Sequence, residues 1–552
     1  MAHTDWTREY PRPQLKRSSF FCLNGSWLLE GKPIEVPYPP QSALSGWEGT
    51  VPEEMTYERT FALPAGFASP AHRVLLHFGA VDQIAAVFVN GRPAVRHEGG
   101  YLPFCADVTD LLCEGENALT VHVIDTLSHD YPYGKQRKKR GGMWYTPVSG
   151  IWQTVWMEAV PAAGAVNGLR ITPDLTGVTL EVDTDAAEYT VVLQGQTGEH
   201  RIACSGRSVR LTLSELGEEP RLWTPDDPYL YRFAVQTGTD RVESYFALRT
   251  CTIESDGRRS RFCLNGKPLF WHGLLDQGYF ADGIYLPAGP DGYEADIRNM
   301  KELGFNLLRK HIKIEPEAFY FQCDNLGMLV LQDMVNNGGY SWLFDTALPN
   351  IGLLKRPDRY PGGKRRKAIF EAHAAATQAH LYNHPCIVSY TIFNEGWGQF
   401  DSDRVYANCK AADPTRIYDA TSGWFAQKQS DMESLHIYFK TIQLAPTGPR
   451  PLFLSECGGY TRPIDGHRFN TEKSYGYGAA ESEEALTDKI LALYETMVLP
   501  SIPAGLCGCI YTQVSDVEDE VNGLYTYDRE ICKVSKERMR ALAVRLGVLT
   551  AE

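Results

Sequence analysis

The last three hundred residues of this 552-residue chain carry eight short apolar runs, at 270–275, 306–309, 328–332, 387–393, 416–420, 434–438, 451–455 and 505–511. Helical segments alternate with them, which argues for parallel strands joined by helical crossovers. Eight such units in about 290 residues are what a closed (β/α)8 barrel, a TIM barrel, requires. The polar residues strengthen the pattern. Near the C-terminal end of each run stand Asp276, Arg309 with His311, Asp333, Asn394 with Glu395, Trp424, His436 with Tyr438, Glu456, and Gln513 with Asp516. Barrel enzymes carry their chemistry at that end of the strands. Any one of these residues serves equally well as a hydrogen bond closing the rim. Eight around a single mouth describe a site.

The residues before the barrel have a different periodicity. Residues 1–160 alternate apolar and polar positions over short stretches separated by turn signals such as Asn90-Gly91, and the pattern reads as a β-sandwich. Residues 161–252 continue with fewer, shorter strands, and some 90 residues of this kind fit one immunoglobulin-like sandwich. The barrel takes residues 253–552.

Composition removes several classes of function. A formal net charge of −14 repels phosphate backbones, so no nucleic-acid partner is expected. The one basic run, Lys135 to Arg140, reads as a solvated loop tip, with a reach toward an anionic substrate as the functional alternative. The first residues lack the apolar core of a signal peptide, and no apolar run spans a membrane. The 13 cysteines include no CxxC pair and suit buried thiols in a reducing cytoplasm, so a cytoplasmic protein is expected. His373, His380 and His384 have helical spacing, but without a further ligand or an HExxH motif they read as a helix face rather than a metal site. The parts of a serine hydrolase, a nucleotide hydrolase and a dinucleotide enzyme are missing.

Two glutamates carry the sharpest chemistry. Glu395 ends the fourth run and is followed by Gly396, and Glu456 ends the seventh and is followed by Cys457-Gly458. Small neighbours would let a substrate approach the backbone. The fourth and seventh strands of a barrel face each other across its mouth. Glycoside cleavage needs two such carboxyls, one protonating the leaving oxygen and the other attacking the anomeric carbon or activating water. The competing reading makes each glutamate an ion-pair partner of Arg309 or a neighbour.

Several segments also resemble glycoside hydrolase family 2, in the right order along nearly the entire chain. Residues 142–153 (GMWYTPVSGIWQ) resemble its sugar-binding-like domain, so that residues 1–160 become a jelly-roll β-sandwich. Arg309-Lys310-His311 through Asp324-Asn325-Leu326-Gly327 resembles its second-strand signature. His384-Pro385-Cys386 through Asn394-Glu395 resembles the acid/base signature, and Ser455-Glu456 the nucleophile position. The resemblance implies that Glu456 forms the glycosyl-enzyme bond and that Glu395 is acid and then base. Asn394 would bond the sugar 2-hydroxyl, Tyr438 would hold the nucleophile and Arg309 would keep it ionised. The charge of Glu456 would raise the pKa of Glu395. His311, Asp333, His436, Trp424 and Asp276 would line the sugar pocket. No cofactor is needed, and the partner is a carbohydrate or glycoconjugate, with a homo-oligomer a fair expectation.

The resemblance permits β-galactosides, β-glucuronides, β-mannosides, β-galacturonides and some arabinosides. The Asn-x-Lys motif of its glucuronidases is missing near the last strand, and Asn265-Gly266-Lys267 reads as a hairpin turn. Asp516, Glu518, Asp519 and Glu520 would repel a carboxylate, which favours a neutral sugar unless the Lys135 loop reaches the pocket. The sequence is therefore read as a retaining, exo-acting β-galactosidase-like β-glycosidase. A β-glucuronidase or β-galacturonidase is the alternative, and a catalytically silent carbohydrate-binding protein the alternative from another class. The Gly- and Pro-rich stretch 335–365 is expected to wall the cleft.

Overall fold

The structure is a computed structural model, and it describes residues 5–351, 353, 358, 363–438 and 440–548. Nearest the N-terminus, two antiparallel sheets pack face to face. One has four strands, in the order Phe21–Cys22, Val155–Pro161, His72–Phe78 and Phe104–Asp107. The other has six, with Glu54–Ala62 and Glu116–Ile124 at its centre. The alternation in Glu116–Ile124 decides which side faces in, because Asn117, Leu119, Val121 and Val123 are buried while the residues between them are not. Trp27, Tyr57, Leu76, Phe78 and Met157 fill the space between the sheets. A second sandwich follows, with a three-stranded sheet from Val166–Pro173 onward packed on a four-stranded sheet centred on Glu188–Gln194 and Tyr231–Gln236. Val191, Leu180 and Phe233 lie in its core.

The barrel strands are β1 (Trp271–Asp276), β2 (Leu307–Lys310), β3 (Leu329–Asp333), β4 (Ile387–Asn394), β5 (Ile417–Ser422), β6 (Glu433–Ile437), β7 (Leu452–Gly458) and β8 (Leu506–Thr512). All are parallel, in the order β5-β4-β3-β2-β1-β8-β7-β6, with β5 and β6 adjoining at the seam. Every residue of these strands outside β6 is buried, as expected for parallel strands covered on both faces. Helices α1 (Asp291–Glu302), α2 (Glu317–Leu326), α3 (Lys364–Leu381) and α4 (Ser402–Ala412) follow the first four strands, and α5 (Glu483–Leu493) and α6 (Lys536–Arg545) the last two. Among the described residues the crossovers after β5 and β6 contain no helix, a difference from eight uniform βα units.

Both sandwiches are fastened to the barrel by hydrogen bonds. Arg249 of the second sandwich donates to the carbonyls of Pro385 and Ile387 at the start of β4, and Trp223 donates to the Asp324 carbonyl. In the first sandwich, the loop after Glu116–Ile124 leaves its own domain and lies on the C-terminal rim. Tyr133 bonds the carbonyls of Asn336 and Gly338 there. No helix among the described residues is long and apolar enough to cross a membrane. None of the 13 cysteines is in a disulfide.

Candidate active site

The period of two in a strand sorts neighbouring residues onto opposite sides of the barrel wall. On β2, Arg309 points into the lumen, where it is completely buried. Its Nε donates to Asp333 at 3.0 Å, Nη1 to Glu456 at 3.1 Å and to the Ser455 carbonyl at 3.0 Å, and Nη2 to the Asn394 amide oxygen at 2.9 Å. One guanidinium thus ties the ends of β2, β3, β4 and β7 together. Because it takes the amide oxygen of Asn394, the amide N–H groups are left for a ligand. Asp333 is held on its other side by His311 Nδ1 at 2.6 Å, so it orients Arg309 and His311.

Glu456 sits at the end of β7, buried. Besides Arg309 it accepts a short hydrogen bond from the Tyr438 hydroxyl, and His436 Nδ1 lies 3.5 Å away. Burial by itself would raise its pKa, but His436, Arg309, His311 and the Tyr438 hydroxyl outweigh that and draw it down to about 2. Glu395 follows β4 in a left-handed conformation, φ 52°, its N–H bonded to the Ser422 carbonyl. Its carboxylate meets His436 Nδ1 at 2.8 Å, and the other ring nitrogen of His436 is held by the Ser422 hydroxyl at 2.8 Å. A carboxylate oxygen of each glutamate and a nitrogen of His436 lie within 4.8 Å of one another. His436 therefore stands between the two glutamates. A lone ion pair with Arg309 accounts for neither carboxylate, because Glu395 does not touch Arg309 and Glu456 has two further partners.

The glycines beside the glutamates serve packing rather than substrate approach. A Cβ on Gly396 (φ 70°) would meet the Phe425 ring at 2.3 Å, and one on Gly458 (φ 81°) the Tyr511 ring at 2.1 Å. Trp424 also has a role other than the expected one. Its indole N–H donates to the carbonyls of Asp345, at 2.9 Å, and Glu395, at 3.2 Å, so it braces the backbone of Glu395.

Asp276 is the one expected pocket residue that the fold takes elsewhere. Its partner is Lys310, at 2.7 Å, which lies over the Phe319 ring of α2 on the helix side of the wall. Being at a strand end places a residue near the rim, but side-chain alternation decides whether it faces in. The three histidines on α3 and just beyond it do not converge either, since His384 bonds Asp324 and, among the described residues, they form no three-ligand cluster. Asn265-Gly266-Lys267 is a turn before β1, at the opposite end of the barrel from the glutamates.

Several residues around the mouth went unnoticed in the sequence. Tyr477 packs on Tyr438 at 4.7 Å and shares a hydrogen bond with Tyr475, from a loop without periodicity. Trp144, from the first sandwich, packs edge-on against Trp397 and Tyr340, at 5.2 and 4.9 Å. Only its place in residues 142–153 hinted at this. The described part of 335–365 includes the helical turn Trp342–Ala347, which lies against Trp424, while residues 352, 354–357 and 359–362 lie outside the described residues.

The acidic run after β8 is largely matched within the protein. Asp516 pairs with Lys533 at 2.6 Å, and Arg140 lies 3.6 Å from Glu518 and 3.5 Å from Asp519. Glu520 accepts hydrogen bonds from Tyr145 and Asn522. The ground for expecting a neutral sugar is weakened accordingly, because both the acids and the basic loop are found in contact.

Comparison with known proteins agrees with this architecture. The sugar-binding domain of glycosyl hydrolases family 2 matches residues 5–161, a second domain of glycosyl hydrolases family 2 matches 165–249, and the family's TIM barrel domain matches 257–450. A β-galactosidase of Thermoanaerobacter pseudethanolicus is 27% identical over 48% of this chain and 37% of its own length. A β-glucuronidase of Chlorocebus aethiops is 26% identical over 69% of this chain and 62% of its own. The match thus spans less than two thirds of either relative. Among solved structures, a β-D-glucuronidase of Dictyoglomus thermophilum superposes with a TM-score of 0.74 at 18% identity, covering 98% of this chain and 99% of that one. A β-glucuronidase of Faecalibacterium prausnitzii gives 0.72 at 20% identity, covering 98% and 100%. At these identities the superpositions speak for the fold.

Proposed function

The chain belongs to glycosyl hydrolase family 2, and we propose that it is a retaining, exo-acting β-glycosidase that releases a terminal β-uronide, a glucuronide or a galacturonide. The observation that carries the chemistry is the approach of Glu395 and Glu456 to within 4.8 Å, with His436 between them. A separation of roughly 5 Å leaves no room for a water between carboxylate and anomeric carbon, and suits direct attack.

The steps follow from the partners of each group. Glu456, held ionised, attacks the anomeric carbon while Glu395 passes its proton to the glycosidic oxygen, and the aglycone leaves as an alcohol. Glu395, now a carboxylate, takes a proton from water, whose oxygen displaces Glu456 from the same carbon. Two inversions give retention. The amide N–H of Asn394, without a partner among the described residues, would bond the sugar 2-hydroxyl, a contact that strengthens as the ring approaches an oxocarbenium ion.

The choice of a uronide over the β-galactoside read from the sequence rests on two supports. Most of the similar curated relatives and solved structures are β-glucuronidases, although a β-galactosidase relative also aligns over 74% of this chain. The acids expected to repel a carboxylate have partners of their own.

The test is an assay on nitrophenyl glycosides of glucuronate, galacturonate, glucose, galactose, mannose and arabinose, with Glu456→Gln and Glu395→Gln alongside. Proton NMR should show the β-anomer as the first product, and a 2-fluoro glycosyl probe should label Glu456. An α-anomer as first product would overturn retention. Turnover undiminished in Glu456→Gln would remove the nucleophile assignment. Sugar binding without turnover of any glycoside would favour a silent carbohydrate-binding protein.

A further inference from the structure

The loop from the first sandwich brings two cations to the barrel mouth, and neither has a role in the steps above. Gly134 fixes its position. At φ 63° it lies so close to the barrel that a Cβ would fall 2.8 Å from the Ile312 carbonyl, just beyond His311 at the end of β2. Gln136 is fully buried on the other side, bonded to Asp82 and Tyr101 and accepting from the Val148 N–H. Lys135 is therefore held between an anchor on the barrel and an anchor in the sandwich.

Its ammonium lies 5.7 Å from the centroid of the Trp144 ring, and the Arg137 guanidinium lies 4.6 Å from the same ring. Trp144 packs in turn on Trp397, two residues after Glu395. Among the described residues neither cation has an ion-pair or hydrogen-bond partner for its side chain. Lys135 is near enough to His311 and Glu520 for its charge to bear on both. Glu520 accepts hydrogen bonds from Tyr145 and Asn522 and forms no ion pair with Lys135. Two cations over one indole repel each other, and a half-buried ammonium without a counter-ion is costly. An arriving anion relieves both.

We propose that Lys135, with Arg137 beside it, takes the carboxylate of a uronic acid bound at the non-reducing end, so that a loop of the first sandwich sets the sugar specificity of the barrel. This rests on the reading of Glu395 and Glu456 as a glycosidase pair. The Asn265-Gly266-Lys267 turn cannot do this, being at the far end of the barrel. Arg309 is also committed, with all its described contacts inside the lumen. The indole beneath Lys135 screens one side of its half-buried ammonium from water, which strengthens its hold on an anion.

The experiment compares kcat/KM for the nitrophenyl β-glucuronide with that for the β-glucoside, and for the β-galacturonide with that for the β-galactoside. Each pair differs only at C6. The wild-type protein should favour one uronide over its neutral partner by roughly 100-fold, the discrimination of a charged hydrogen bond. Lys135→Met should lower that uronide value about 50-fold, mainly through KM, and leave neutral sugars within about threefold. Arg137→Met should have the smaller effect, because Arg137 is exposed.

A wild-type preference for neutral sugars would overturn the proposal. So would an equal loss on both sugars in a Lys135→Met protein of unchanged melting temperature, which would make Lys135 a structural neighbour of Glu520. If no glycoside is turned over, the glycosidase reading fails separately, and calorimetry with free glucuronate, galacturonate, glucose and galactose still decides the anion site. Binding of an acid that Lys135→Met abolishes would uphold it, and no difference between acid and neutral sugar would end it.

Discussion

Arg309 and Lys310 are adjacent on β2, and each is the centre of a buried ion-pair network, one on either side of the same wall. Arg309 gathers Asp333, Glu456 and Asn394 in the lumen. Lys310 gathers Asp276 and Glu315 behind the strands, and Glu315 also receives Lys313 and the Tyr293 hydroxyl. Charge content is similar, but the surroundings differ. The outer network is closed by Phe319 and Tyr293, and its carboxylates are met from several sides. The lumen network opens through Glu395, His436 and Asn394 onto the mouth, and among the described residues the Asn394 amide N–H groups and one carboxylate oxygen of Glu395 have no hydrogen-bond partner. Burial and pairing alone do not mark a functional site. An unfinished set of partners, facing a space a substrate can enter, does.

The largest effect expected from this contrast is in the lumen. Glu456→Gln should lower kcat by at least roughly 10⁴-fold, with its melting temperature close to that of the parent, since the amide keeps the shape and can still bond Tyr438. A comparable activity loss in Asp276→Asn would erase the distinction between the two networks. Arg309→Lys comes next. A point charge cannot span Asp333, Glu456 and Asn394 as the planar fork does, so kcat/KM should fall roughly 10²- to 10³-fold.

Asp276→Asn should show the opposite profile. Removing one partner of the buried Lys310 pair should cost about 3 kcal/mol in urea unfolding. At the same time kcat/KM should stay within about threefold, because the network lies behind the wall. The Asp276 carboxyl is buried, which raises its pKa, but Lys310 and the Gly278 N–H prevail and lower it overall. Its stabilisation is thus present above the ordinary carboxylate value and is lost as pH falls through the lowered one, so the gap between parent and variant should close in acid.

The smallest effect sharpens the lumen side. With Glu456 lowered to about 2, its ionised form persists well below the ordinary carboxylate range. Tyr438→Phe removes one hydrogen bond to that form, so the pKa rises and the acid limb of kcat/KM should move up by about one pH unit. An unmoved limb would mean that Tyr438 positions sugar rather than the nucleophile.

Much of this protein can be read from its residues. The eight apolar runs correspond to β1–β8, because parallel strands buried on both faces must be continuously apolar. Glu395, Asn394, Arg309, His311, Asp333, His436, Tyr438 and Glu456 meet in the lumen because strand ends converge there. Asp276 does not, since one step along a strand turns a side chain through the wall and nothing at that position signals the direction. Trp424, expected to line the pocket, supports the Glu395 backbone through its indole N–H, a detail of loop packing. The Lys135 loop, whose composition suits a solvated tip, lies on the rim of a domain more than a hundred residues further along the chain.

What the sequence determined by itself is the order of the sandwiches and barrel and the two glutamates facing each other, since periodicity and strand ends are local properties. Only the tertiary structure decided which charges are neutralised and which are left waiting. Asp516, Glu518 and Asp519 lose their repulsion to Lys533 and Arg140, while Lys135 and Arg137 have no ion-pair partner among the described residues and lie over Trp144. An ion pair depends on distances across the fold, and no local pattern of residues contains them.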